Sequence, residues 1–208
     1  MKAVRAAAAL VLAVALSAGG AGYVQAHSFK LGFVAPLSGP QAAVGEALRD
    51  GLMVATRERD SHPDEVSDGH LGGLDVYVLP VDGALDGARD GAAVLAEANA
   101  LMAGEGVEIL AAALPGALTV AMREAAQARR TVFIDMNGAL PPVTADGGPG
   151  EAAFAATFEA DTGRAPPPAA YRGYRTARLV DRAIRALGGD LSDRAALRAA
   201  IEAALARR

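Results

Sequence analysis

The chain has no cysteine and no tryptophan, and aromatic residues make up only 4% of its 208 residues. The missing cysteine excludes a disulfide scaffold, a thiolate zinc site, an iron–sulfur cluster and a cysteine nucleophile. Positive charge is also scarce, with 20 basic against 24 acidic side chains and a formal charge of −4. That balance argues against nucleic acid as the main partner, because phosphate neutralisation needs a concentrated positive surface. The sequence contains no G-x-x-x-x-G-K-[ST], no G-x-S-x-G and no H-E-x-x-H, so nothing points to a nucleotide, an activated serine or a catalytic zinc. The apolar run Ala6–Leu16 falls well short of the ~20 residues that span a bilayer.

What is present is a hydrophobic share of 52%, far above that of a disordered chain. The start of the chain reads as a targeting segment. Lys2 and Arg5 form a basic n-region, Ala6–Leu16 a short apolar core, and Val24-Gln25-Ala26 an acceptable cleavage site. Residues 1–26 are therefore expected to be a cleaved signal peptide. The mature chain, from His27, is expected to be a single exported α/β domain, and the Ala, Gly and Arg usage with a Sec-like signal suggests a bacterial periplasm.

Along the mature chain, hydrophobic periodicity alternates between strand and helix. Phe29–Ala35 reads as a strand, with Phe29, Leu31 and Phe33 at period two. Gln41–Arg59 reads as a helix with Val44, Ala47, Leu48, Leu52 and Ala55 on one face. Ser61–Gly73 reads as a polar loop, Leu74–Val81 as a strand, and Leu85–Ala103 as a helix. Asp82-Gly83 reads as a turn; Gly83, Gly87 and Gly91 recur every four residues, so at least Gly87 and Gly91 share one face of that helix, which suggests close packing on the sheet. Val107–Ala112, Gly116–Arg129 and Thr131–Asp135 continue as strand, helix and strand. The alternation then gives way to a Pro/Gly-rich stretch, Met136–Gly150, followed by three helical segments. These hold Phe154 and Phe158, the stripe Leu179, Val180, Ala183, Ile184 and Leu187, and a last helix capped by Ser192. Arg172, Arg175, Arg178, Arg182 and Arg185 read as a solvated face of the second of these helices.

Repeated βα units imply a mostly parallel sheet of four to five strands between two helical layers, a Rossmann-like or flavodoxin-like sandwich, plus three C-terminal helices. Ligands of such sheets bind beyond the carboxyl ends of the strands. Here those ends carry the loops Pro36–Gly39, Val81–Gly83, Leu114–Gly116 and Asp135–Gly138. Ser38, Gly39, Asp82, Pro115, Gly116, Asn137 and Gly138 in these loops, with Val44 on the first helix, are the candidate ligand-binding residues.

The order of these segments resembles the type I periplasmic solute-binding proteins, the substrate-binding components of branched-chain amino-acid ABC transporters. LGFVAPLSGPQAAVGEALRDGLMVA is similar to that family's opening strand, Pro-Leu-Ser-Gly loop and first helix. HLGGLDVYVLPVDGALDGARDGAAVLAEANALMAGEGVEIL and AAALPGALTVAMREAAQARRTVFIDMNGAL follow as its next strands and helices. FEADTGRAPPPAAYRGYRTARLVDRAIRALGGDLSDRAALRAAIEAAL resembles its late helices. The resemblance spans most of residues 29–205. It implies the first lobe of a two-lobed clamshell, with the short stretch 136–150 standing where the second lobe would be inserted.

The resemblance implies a small-molecule ligand, an ABC permease or another periplasmic protein as partner, and no cofactor. In amino-acid-binding members, hydroxyls after the third and fourth strands hold the α-carboxylate. The matching positions here are Pro115-Gly116 and Gly138-Ala139, and neither offers a hydroxyl. Thr119, a turn further on, is expected to face elsewhere. A ligand other than an amino acid, or none, is favoured. The alternative is a degenerate lobe serving as an interaction or dimerisation protein, with a homodimer as one form.

Other chemistry is weakly supported. His62 and His70 lie near Asp60, Asp64, Glu65 and Asp68, but the spacing matches no metal-ligand pattern. His27 at a free amino terminus reads as a frayed end. Asp82 and Asp135 end strands and could serve acid–base chemistry; holding turns is their commoner role. No enzymatic activity and no metal site are expected.

Overall fold

A computed structural model describes residues 27–58, 66–86, 89–141 and 150–206. Residues 1–26, read from the sequence as a signal peptide, together with His62, Gly87 and most of the stretch 136–150, lie outside the described residues. The sheet contains β1 (Ser28–Ala35), β2 (His70–Leu71), β3 (Leu74–Asp82), β4 (Ile109–Ala112) and β5 (Val132–Asp135), in the order β2-β3-β1-β4-β5. All pairs are parallel except β2–β3. The α-helices are α1 (Ala42–Arg57), α2 (Gly91–Gly104), α3 (Gly116–Ala128), α4 (Glu151–Thr162), α5 (Pro168–Ala186) and α6 (Arg194–Leu205), and a 3-10 turn at Gly39–Gln41 precedes α1. This is the expected α/β sandwich with a mostly parallel sheet.

The central strand is buried on both faces. Phe29, Leu31, Phe33 and Ala35 join α1, α4, α5 and α6 in one apolar core, while Val34 joins α2 and α3 in a second. Near-continuous burial is what a parallel sheet covered by two helical layers requires.

The tightest contact lies between α1 and α5. A Cβ at Gly51 would stand 1.9 Å from the Ala170 carbonyl oxygen, and one at Gly173 would stand 1.8 Å from that of Leu48. The two helices thus cross backbone to backbone, one glycine from each. Phe154 on α4 closes the same core, its ring stacked 4.2 Å from that of Tyr174.

Three local readings change. The segment 70–71 is a short antiparallel strand rather than loop, because the Gly72-Gly73 turn, with both φ values positive, folds it onto β3. The second helix starts at Gly91, not Leu85. The Asp86 carboxylate accepts from Arg89 N–H at 3.0 Å, and that of Asp90 caps Ala93 N–H at 2.8 Å; such side-chain bonds compete with helical pairing. Gly83 lies in the expected turn after β3. It lies over the strand ends, donating to Ala35 C=O at 2.7 Å. The cap of α6 is Asp193 rather than Ser192, its carboxylate accepting from Ala195 and Ala196 N–H.

The arginines of α5 are not one solvated face. Arg178 is 2% exposed and lies 3.9 Å from both Glu58 and Asp181. Asp181 also accepts from Gly72 N–H at 2.8 Å, and the Tyr174 hydroxyl donates to Glu58 at 2.9 Å. This buried polar cluster ties the end of α1 and the β2–β3 turn to α5. Val44, expected on the inward face of α1, is 40% exposed, because it sits in the first turn, beyond the reach of the α5 crossing.

Gly51→Ala and Gly173→Ala are each expected to destabilise the protein by about 3 kcal/mol or more, since the obstacle is a backbone oxygen that cannot rotate away. Gly104→Ala, whose methyl meets nothing within 4 Å, should change stability by less than about 0.5 kcal/mol. Urea denaturation midpoints of the three variants at unchanged slope make the comparison; equal midpoints would refute the crossing.

Candidate functional site

The parallel strands deliver their carboxyl ends to one edge of the sandwich. β1 ends at Ala35 and β3 at Asp82 in direct register, and β4 and β5 end level at Ala112 and Asp135. Between the β1, β3 and β4 loops lies an open depression of about 180 Å³, lined by Ser38, Pro40, Gln41, Gly83, Leu85, Asp86 and Pro115 among others. Its walls are largely apolar or backbone, with Ser38, Gln41 and Asp86 supplying polar side chains.

The loop conformations have local causes. Gly39 has φ of +68°, a left-handed conformation that favours glycine, and it turns the chain from Ser38 into the 3-10 turn. Asp82 stands behind Ser38. Its Oδ1 accepts from Leu37 N–H at 2.8 Å and Ala84 N–H at 2.9 Å, so one carboxylate fixes the loops after β1 and β3 together. Burial acts to raise the Asp82 pKa. The Ser38 hydroxyl, the Ala84 and Leu37 N–H groups and the charge of Arg89 outweigh it and hold the carboxyl below its ordinary value. Asp135 acts in the same way after β5, accepting from Asn137 N–H at 2.9 Å. Both aspartates hold turns.

The sequence candidates are thus dispersed along the edge. Ser38 and Pro115 meet in the depression, with Gly39 beside Ser38. Gly116 opens α3, whose first turn holds no acidic residue and whose cap residue, Pro115, offers no side-chain bond. Thr119 turns inward, its hydroxyl donating to Leu114 C=O at 2.8 Å. Asn137 is fixed by its own amide, which donates to Leu114 C=O at 3.0 Å, and by Arg172, which donates to its Oδ1 at 2.9 Å. Gly138 belongs to a separate groove beside β5. Val44 is not among the residues lining the depression.

Gln41, Leu85, Asp86 and Arg172 also stand at this edge and are not legible as site residues in the sequence. Gln41 sits in a turn that the sequence marks only by Pro40. Leu85 and Asp86 were hidden by the expectation of a helix there. Arg172 reaches the edge from α5, far along the chain, and no local pattern announces it. Among the described residues, no group of three or more His, Asp or Glu side chains is placed to hold a metal ion; His70 pairs with Asp75 at 2.7 Å. Among the described residues, no helix is long and apolar enough to cross a membrane.

Asp82→Ala is expected to lower stability by about 1 kcal/mol at pH 7, the loss of a solvent-screened, charge-assisted pair of hydrogen bonds. Because the folded carboxyl titrates below its unfolded value, its contribution is complete at neutral pH and fades as the pH falls through the lowered value. Thermal melts of the two proteins from about pH 7 to about pH 2.5 should therefore converge at the acid end. A constant gap across that range would contradict the role assigned to the charge.

No family model and no curated protein matches the chain. Solved structures do. A solute-binding protein of an ABC transporter from Rhodopseudomonas palustris BisB5, in complex with 3,4-dihydroxybenzoic acid, is 13% identical with a TM-score of 0.64, the match covering 84% of this chain and 85% of that one. An ABC transporter substrate-binding protein from Sphaerobacter thermophilus is 13% identical with a TM-score of 0.57, covering 85% of this chain and 86% of that one. A solute-binding protein from R. palustris in complex with benzoate is 14% identical with a TM-score of 0.56, covering 84% and 85%. Two further solved chains are matched over only 26% and 28% of their own length. The chain therefore has the fold of the ABC-transporter solute-binding proteins, the type I periplasmic binding proteins that its sequence resembles.

Proposed function

We propose that this protein is an exported, single-lobe solute-binding module that holds a small organic acid at the carboxyl ends of its strands and serves ABC transport in the periplasm. The observation that carries this reading is the open depression at the strand ends of a chain with the solute-binding fold. In this reading residues 1–26 are removed on export, and the stretch 136–150 replaces the second lobe.

The ligand class follows from what lines the edge. The uncapped first turn of α3 presents free N–H groups, and the helix dipole favours a carboxylate there. Arg172 adds a positive charge elsewhere on the same edge, beside Asn137 and outside the depression, whose own charged side chain is Asp86. Pro40, Leu85 and Pro115 offer apolar contact for a ring, and the hydroxyls that would grip an amino acid are missing. Two neighbours in fold were solved with benzoate and 3,4-dihydroxybenzoic acid, and acids of that size suit this wall. The role is binding, without catalysis.

A two-lobed binding protein encloses its ligand by hinge closure. One wall buries about half of what an enclosing pocket does, so affinity should be weak, with Kd on the order of 1 mM. The permease or another periplasmic chain would supply the opposite wall. At ten times Kd, a ligand of this kind contributes about 1.4 kcal/mol, which raises Tm by about 3–6 °C. A thermal-shift titration with benzoate, 3,4-dihydroxybenzoate and leucine tests this. The two aromatic acids should stabilise more than leucine, and Pro115→Asp should abolish the effect by placing a negative charge at the α3 terminus. No shift with any of the three would sink the proposal.

A further inference from the structure

The two edges of the sheet differ. At one, β2 is only two residues long and ends in a tight turn, a common way to blunt an edge. At the other, β5 borders an open groove of about 390 Å³ that runs between the α3 and α6 layers. Among the described residues no strand pairs with this side. Val132 N–H donates to Glu108 C=O and Met136 N–H to Ala112 C=O. By alternation, the N–H and C=O of Phe133, the C=O of Thr131 and the N–H of Asp135 point the other way, into the groove. The two remaining outward groups are engaged within the chain: Thr131 N–H donates to Ala126 C=O at 2.9 Å, and Asp135 C=O accepts from Gly138 N–H at 3.1 Å.

This pattern is self-complementary. Place a two-fold axis at Phe133 and run a second β5 antiparallel to the first. Phe133 then exchanges two N–H···O=C bonds with its symmetry mate, and each Asp135 N–H meets the partner's Thr131 C=O. All four open donors and acceptors on each strand are matched, and none of the internally engaged groups is needed. The side chains follow the same symmetry. On the α3 side, Arg123 lies 5.5 Å over the Phe133 ring and 3.9 Å from Asp135. On the α6 side, Arg198 and Glu202 stand one turn apart beside the groove. In that arrangement an antiparallel α6 from the second copy would set Arg198 opposite Glu202 of its mate, twice. Leu205, 36% exposed, lies in the same groove and would be covered.

We propose that two copies of this chain associate through their β5 edges, in antiparallel register about Phe133, to form one continuous sheet. A closed two-fold of this kind caps the edge that would otherwise template open-ended pairing. The axis lies at the side of the sandwich and leaves the depression at Ser38 and Pro115 accessible in both copies. The inference is therefore independent of the ligand reading.

The absence of cysteine makes a clean test possible. Phe133→Cys should give a disulfide-linked dimer under mild oxidation, because residues facing each other in a hydrogen-bonded antiparallel pair have Cα atoms about 5.5 Å apart. Val120→Cys, exposed on α3, should stay monomeric under the same oxidant. In sedimentation equilibrium the unmodified protein should dimerise. Arg198→Glu should weaken that dimer about tenfold by setting like charges together at both symmetric contacts, and adding Glu202→Arg should restore it. The charge variants lie on the surface, so folding is not at stake. A protein that stays monomeric at all concentrations overturns the proposal. So does a dimer indifferent to Arg198→Glu, or equal cross-linking at positions 120 and 133. Benzoate titration of Arg198→Glu should match the unmodified protein, which separates failure of the interface from failure of the ligand site.

Discussion

The backbone crossing of α1 and α5 is the contact on which the rest of the structure depends. Two glycines, Gly51 and Gly173, let the helices approach until each glycine abuts a carbonyl of the other helix. Close approach carries the flanking side chains with it: Leu48, Leu52, Tyr174, Ala177 and Val180 all enter the core beneath β1 and β3. It also joins the early βα units to the C-terminal helices. Without it α5 would have no fixed seat, α4 would lose its ring stack on Tyr174, and the layer under β4 and β5 would be open.

The same helix serves the two ends of the sandwich differently. Near its start, Arg172 reaches Asn137 at the strand carboxyl ends and helps set the loop after β5. Farther along, Arg178 and Asp181 are buried against Glu58 and the β2–β3 turn. Burying ions costs solvation that their attraction only partly returns, so such a cluster contributes more to a single register than to stability. One end of α5 helps shape the strand-end surface; the other locks the hairpin and α1 in place.

At the carboxyl edge the loops are held by carboxylates that accept from backbone N–H groups. Asp82 and Asp135 each accept from N–H groups of the turns that follow their strands, and Asp82 also fixes the neighbouring loop at Leu37. In the proposed reading, a small acid would meet this rim through the N–H groups of the α3 start and through shape.

Much of this was legible in the sequence. Strand and helix types follow from the spacing of apolar residues, because a strand repeats every two residues and a helix every 3.6. Their alternation determined the parallel sheet and hence the end at which a site would form. The short strand His70–Leu71, the late start of α2 and the inward Arg178 were not legible. They depend on a turn's positive φ, on carboxylates that compete for backbone N–H groups, and on Glu58 and Asp181 meeting around one guanidinium. Gln41, Leu85, Asp86 and Arg172 joined the strand-end surface only through tertiary placement. Local periodicity records what each segment prefers by itself. Which glycine meets which carbonyl, and which edge of the sheet stays open, is decided when segments far apart in the chain compete for the same space.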